Sequence, residues 1–129
     1  MKTKTKTKIR TIVRKLDVLW REQVKIRWNN RCAICGKSEG KLDCHHLVSR
    51  SVGVLRHDPR NGILLCPLHH VYDSTLSAHK GTLLFFLRLQ EHEMVDLKYL
   101  TERMMIKKSM TDRVWLEEVS ELLSNHTQK

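Results

Sequence analysis

The sequence predicts an α+β fold: a small zinc-stabilised centre flanked by helices on both sides. Three observations predict it. Two short clips, CAIC at 32–35 and CPLH at 66–69, have the spacing of paired metal ligands. Between them lie two strand-compatible runs, LDCHHLV and NGILLC. Before and after this centre, apolar residues recur every three or four positions, the signature of amphipathic helices. A chain of 129 residues suits one domain with a modest core.

Residues 1–8 alternate Lys and Thr and have nothing to bury, so they are expected to form a flexible basic arm. Over 9–28 the residues Ile12, Val13, Leu16, Leu19, Trp20, Val24 and Trp28 form one apolar stripe, with Arg14, Lys15, Arg21, Lys25 and Arg27 on the opposite face. Asn and Gly then break the helix, which puts the first cysteine pair on a tight turn. A hairpin follows, its arms being LDCHHLV and NGILLC, with the basic loop SRSVGVLRHDPR between them. Pro67 is suited to the first position of a helix, and that helix is expected to run toward Gly81 unless Asp73 and Ser74 restart it. Helices are expected at 82–91, 95–106 and 111–123. Their apolar residues Phe85, Phe86, Leu89, Leu97, Leu100, Met104, Trp115, Val119 and Leu122 fall at core spacing. The expected organisation is thus the arm at 1–8, a core unit at 9–81 and a helical extension at 82–129 packed on the same domain.

The chain has 24 Lys and Arg against 14 Asp and Glu, a formal charge of +10, which points to a polyanionic partner, nucleic acid first. No membrane span is expected, because the longest apolar run, LLFFL, ends at Arg88, far short of the roughly 18 residues a span needs. MKTKTKTKIR has no apolar block behind it, so the expected location is the cytoplasm, where paired cysteines bind metals more often than they form disulfides.

Cys32, Cys35, Cys66 and His69 supply the four soft or borderline ligands of a structural Zn2+. A set using Cys44 in place of His69 is also arithmetically possible, although Cys44 suits a buried strand position. If His69 grips zinc from a helix, His70 is turned about 100° away and needs another role. His45, His46 and His70 then remain as an unexplained trio, with Asn61 on the facing strand.

Read in order, CAIC, LDCHHL, RNGILLC and CPLHH resemble the HNH endonucleases, a family with the ββα-metal fold, and the segment is similar to small phage-type members over about residues 15–80. His69 stands where the family usually has a fourth cysteine, a departure that zinc tolerates.

The resemblance implies a DNA endonuclease that hydrolyses phosphodiester bonds. His46 would be the general base and Asn61 its orienting partner. His45 and His70 would hold one catalytic divalent cation, Mg2+, Mn2+ or another. No third histidine follows His70 at helical spacing, since position 74 is Ser, so two protein ligands are expected, with Asp73 as a possible addition. His57, His79, His92 and His126 fall outside the pattern and receive no role. Adjacent strand residues point to opposite faces, so for His45 and His46 to serve one phosphate the strand must bend, bulge or end there. Arg50 and Arg56, on the loop after the base, are candidate phosphate contacts.

The competing reading is a zinc-stabilised nucleic-acid-binding module without cleavage activity. The resemblance is also compatible with a role in a phage recombination or packaging machine in the host cytoplasm, with the helical tail meeting a protein partner.

Overall fold

A computed structural model of the chain describes residues 2–107 and 113–127. It is α+β, as expected. The order is α1 (Lys2–Arg27), β1 (Asp43–His46), α2 (Gly53–Arg56), a 3-10 turn at Pro59–Asn61, β2 (Gly62–Leu65), a π-helical turn at Leu68–Tyr72, α3 (Thr82–Glu91), α4 (Leu97–Arg103) and α5 (Arg113–Thr127).

α1 begins at Lys2, so the Lys/Thr repeat expected as a flexible arm continues the helix backbone. The repeat contains no Gly or Pro to stop it. At its other end the helix closes through Asn29 and Asn30, both left-handed with φ near 53° and 54°, and the Asn30 N–H bonds the Lys25 carbonyl at 2.9 Å. Asn tolerates that conformation better than most residues with a Cβ, and the reversal aims Cys32 back toward the hairpin.

The expected stripe of α1 provides the core. Trp20, Val24 and Trp28 pack with Ile63, Leu64 and Leu65 of β2 and with Phe85 and Leu89 of α3. Both indole N–H groups are satisfied, Trp20 by the Asp58 carbonyl and Trp28 by the Gly62 carbonyl, each at 2.9 Å. β1 and β2 pair antiparallel, with Asp43 opposite Leu65 and His46 opposite Gly62. Gly62 lets α1 lie directly on the strand, since a Cβ there would overlap Val24 and come within 2.8 Å of the Trp20 ring. Gly62→Ala is therefore expected to cost about 2–3 kcal/mol by overpacking, read as a lower denaturant midpoint with an unchanged slope.

Three expectations change. The helix expected from Pro67 to Gly81 is only the five-residue turn at Leu68–Tyr72. The Asp73 carboxylate accepts from the Thr75 N–H, the Thr75 hydroxyl and the Leu76 N–H, offering the backbone an alternative to helical bonding. The hairpin therefore leads into a short turn rather than into the full helix that a ββα core would place after β2. The apolar stripe of α5 is also offset: Leu116, Val119 and Leu123 pack on Leu16, whereas Leu122 is exposed. Phe86 and Met104, expected in the core, are exposed too, while Phe85, Leu89 and Leu100 are buried. The expected helix start at 111–112 lies outside the described residues.

Candidate metal centre

Strand alternation sorts β1 into two faces. Asp43 and His45 face the π-helical turn, while Cys44 and His46 face α1, where the Cys44 thiol meets the Arg21 carbonyl and the His46 ring stacks on Trp20 at 3.8 Å. The strand stays regular through His46, its last residue. The histidine doublet is thus divided between opposite faces rather than brought onto one.

On the first face, His45, His70 and His79 each offer a ring nitrogen within 4.8 Å of the others. His70 Nδ1 lies 3.3 Å from the Asp43 carboxylate, which can only accept when ionised, so this nitrogen donates and Nε2 keeps its lone pair. That Nε2 lies 3.2 Å from His79 Nε2. Two nitrogens on one ion, each at about 2.1 Å with angles of about 90–110°, would stand about 3.0–3.4 Å apart, so the pair fits a shared cation. A carboxylate behind a ligating imidazole is the usual orienting arrangement. Burial, followed by the charges of His70 and His79, pushes the His45 pKa down to about 4 from 6.5, so its ring is neutral and available as a ligand at pH 7.

This shift carries a pH prediction. The unfolded chain takes up a proton at His45 below about 6.5 while the folded chain resists until about 4, so stability should fall as pH drops through that window. Melting temperatures recorded without added divalent metal should show that slope, and His45→Gln should flatten it.

His79 is the residue that sequence reasoning missed. It lies nine positions after His70, outside any helical register, and a folded loop returns it. The His79 N–H bonds the His70 carbonyl at 3.1 Å, the Ala78 N–H bonds the His69 carbonyl at 3.0 Å, and buried Ser77 accepts from the Lys80 and Gly81 N–H groups. The legible signal was the turn chemistry of Asp73, Thr75, Ser77 and Gly81, which argued against a helix running on from Pro67. Asp73, the possible added ligand, is committed to that turn.

The sulfur cluster contains Cys32, Cys35 and Cys66, all within 4.8 Å. Cys35 Sγ and Cys66 Sγ are 3.8 Å apart, and two thiolates at about 2.3 Å on one tetrahedral zinc would be about 3.8 Å apart. Burial opposes ionisation of Cys32, yet hydrogen bonds from the backbone at Cys35, Cys66 and Ile34 hold its thiol below the ordinary range. Neither Cys44 nor His69 joins this group. His69 is buried and its Nδ1 lies 2.9 Å from the Leu76 carbonyl, which must accept, so Nδ1 is the nitrogen that donates there.

Asn61 is fully buried, and its side chain spans the loop rather than reaching His46. It donates to the Val48 and Leu55 carbonyls at 2.9 and 3.1 Å and accepts from the Val48 N–H at 2.7 Å. The next carbonyl along, Arg56 O, takes the His46 Nε2 hydrogen at 2.9 Å, so Asn61 acts on His46 through the backbone. Burial pushes the His46 pKa down, with the Arg56 bond working the other way. Arg50 is exposed on the loop. Arg56 instead forks onto Asp17 at 2.9 and 3.0 Å, so its guanidinium is engaged inside the fold rather than free for phosphate. His57 joins the same carboxylate at 2.7 Å. Burial works against ionisation of Asp17, but the bonds from His57 and Arg56 hold its carboxyl well below the usual range.

Fold and site together define a basic α+β domain with a thiol cluster and, on the face of a two-stranded hairpin, a histidine cluster suited to a cation. A family model described as HNH endonuclease matches residues 32–72, taking in both clips, the hairpin and His70 and ending before His79. The resemblance to HNH endonucleases is borne out over that segment, and the family points to a nuclease with a nucleic-acid substrate. No curated protein and no solved structure matches the chain. Among the described residues, no helix is long and apolar enough to cross a membrane.

Proposed function

We propose that this chain is a metal-dependent DNA endonuclease that hydrolyses phosphodiester bonds. The observation that carries this reading is the convergence of His45, His70 and His79, with Asp43 behind His70. A pure binding module has no need of a second ligand set beside the thiol cluster. These imidazoles would hold a divalent cation, which would supply charge neutralisation at the phosphate and the leaving oxygen.

The chain's own groups do the rest. His45 stays neutral because it is buried, and Asp43 fixes the His70 tautomer. His46 is the base that the resemblance assigns: with Nε2 donating to the Arg56 carbonyl, Nδ1 is the nitrogen left to accept a proton from water, and the ring must leave the α1 face to reach a phosphate at the cation ligands. Trp20 holds the ring plane and Asn61 holds the loop that presents the Arg56 carbonyl. Arg50, exposed on the loop between the two strands, contacts backbone phosphate, and the charge of +10 draws the DNA in. Zn2+ would be held by Cys32, Cys35 and Cys66; His69, the fourth ligand expected from the spacing, lies outside that group and would have to turn its Nε2 toward it. In this reading the hairpin and the turn carrying His70 serve as the frame of a ββα-metal centre. A role in a phage recombination or packaging machine rests on the resemblance alone, and the apolar stripe of α5 already packs on α1.

One observation favours a second reading, a zinc-stabilised binder without cleavage. His46 lies on the α1 face of β1, across the strand from the cation ligands. Supercoiled plasmid incubated with Mg2+, Mn2+ or Ni2+ decides between the two. Nicking by the wild type that His46→Ala lacks supports the enzyme. Binding without nicking under every metal supports the binder.

A further inference from the structure

A cavity of about 410 Å3, lined by none of the cation ligands, opens between the start of α2, the 3-10 turn, α4 and α5. Its walls carry three arginines, Arg27, Arg60 and Arg103, together with His57, Tyr99 and Trp115. Asp58 is the one carboxylate in the lining. It is satisfied locally, accepting from the Tyr99 hydroxyl and the Arg60 N–H, with the Arg60 side chain 3.9 Å away. The lining is therefore net cationic.

Several polar atoms among its lining residues lack a partner. The Nε atoms of Arg27 and Arg103 and the Nδ1 atom of His57 are buried and have no hydrogen-bond partner among the described residues. The His57 side chain is only 2% exposed, and its other ring nitrogen is taken by Asp17. Buried polar groups normally find partners, and charged ones especially so. Arg27 also gives Nη2 to the Met94 carbonyl at 2.7 Å, so what faces a ligand is the remaining N–H capacity of three guanidinium groups gathered on one cavity wall. Arg60, more exposed, lies over the Tyr99 ring at 4.0 Å and stands at the mouth.

We infer that this cavity is a nucleotide pocket, taking one nucleoside phosphate with its phosphate on the arginines and its base against the aromatic and aliphatic wall. Guanidinium groups recognise phosphate oxygens through paired N–H donors. Tyr99 and Trp115, with Val54 and Val119 beside them, supply the apolar area that a planar base covers. The volume is at the small end for ligand pockets, which suits a single nucleotide rather than a duplex. The same chemistry arises from a free nucleotide or from one unit extruded from a DNA strand. The inference uses none of the cation ligands and stands independently of the proposed cleavage.

The test is a titration of the whole 129-residue chain as purified, without added divalent metal, following tryptophan fluorescence. Probes are dAMP, dTMP, deoxyadenosine, inorganic phosphate and a short single-stranded oligonucleotide competed against dAMP. Saturable binding of a monophosphate is expected, roughly tenfold or more tighter than deoxyadenosine or phosphate alone. The double variant R60Q/R103Q should weaken it by a further tenfold or so while keeping the wild-type melting temperature. His45→Ala should bind dAMP as the wild type does. Competition by the oligonucleotide identifies a strand unit as the source, and its absence identifies the free nucleotide; either supports the pocket. No saturable monophosphate binding and no competition, equal binding of inorganic phosphate, or undiminished binding by a folded double variant would each overturn it.

Discussion

His79→Ala is expected to reduce metal-dependent DNA cleavage by at least about 100-fold, more than the roughly 10–100-fold that follows loss of a residue which only orients a ligand. The reason is geometric. His79 Nε2 stands 3.2 Å from His70 Nε2, the separation of two donors on one ion, and His45 closes the third side. Removing an imidazole from the shared position leaves two ligands and raises the metal concentration needed for half-maximal rate. Asp43→Asn touches only the Nδ1 side of His70, so its loss should be smaller, about tenfold. Initial nicking rates against Mn2+ concentration read both effects. His79→Ala should regain part of its rate at high Mn2+, whereas His46→Ala, which removes the proposed base, should not. If His79→Ala cleaves like the wild type at low Mn2+, the cation lies elsewhere.

The second large effect is expected at the thiol cluster. Cys66→Ser should lose the structural zinc, and with it much of the order of the hairpin, because structural zinc contributes on the order of 10 kcal/mol to small metal-bound folds. Cys66 ends the segment leading from β2, and Cys32 is clamped to the same strand by the Ala33 N–H bond to the Leu64 carbonyl at 2.8 Å. Losing the metal therefore loosens the strand that α1 and α3 pack against. Elemental analysis should find one zinc per wild-type chain and none in Cys66→Ser, with a fall in melting temperature of about 10 °C or more. A zinc-free variant that melts with the wild type would remove the structural role.

Much of this was legible in the sequence. The stripe of α1, the antiparallel hairpin and α3 follow from periodicity and turn chemistry, because each is fixed by local pattern and a single burial direction. The thiol trio follows from clip spacing. The remainder depends on tertiary placement. His79 reaches the cation site only because the side chains of Asp73 and Ser77 fold the loop before α3, a competition between local bonding and helix continuation that favours the loop. Arg56 reads as a loop cation until α1 is seen to bring Asp17 against it, and Asn61 reads as a partner of His46 until its donors are found on Val48 and Leu55. The buried face of α5 keeps the expected Val119 but takes Leu116 and Leu123 in place of Leu122, with Trp115 packed beside them, a choice that helical spacing alone leaves open. The doublet at 45 and 46 shows the same division: pairing register decides which imidazole meets the cation, and the letters alone do not.

A crystal soaked in Mn2+ and examined by anomalous diffraction is the most direct test of the histidine centre. The expected result is a peak bonded to ring nitrogens of His45, His70 and His79, with Asp43 hydrogen-bonded behind His70. A peak that leaves out His45 and His70, or manganese bound only at surface carboxylates, would contradict it.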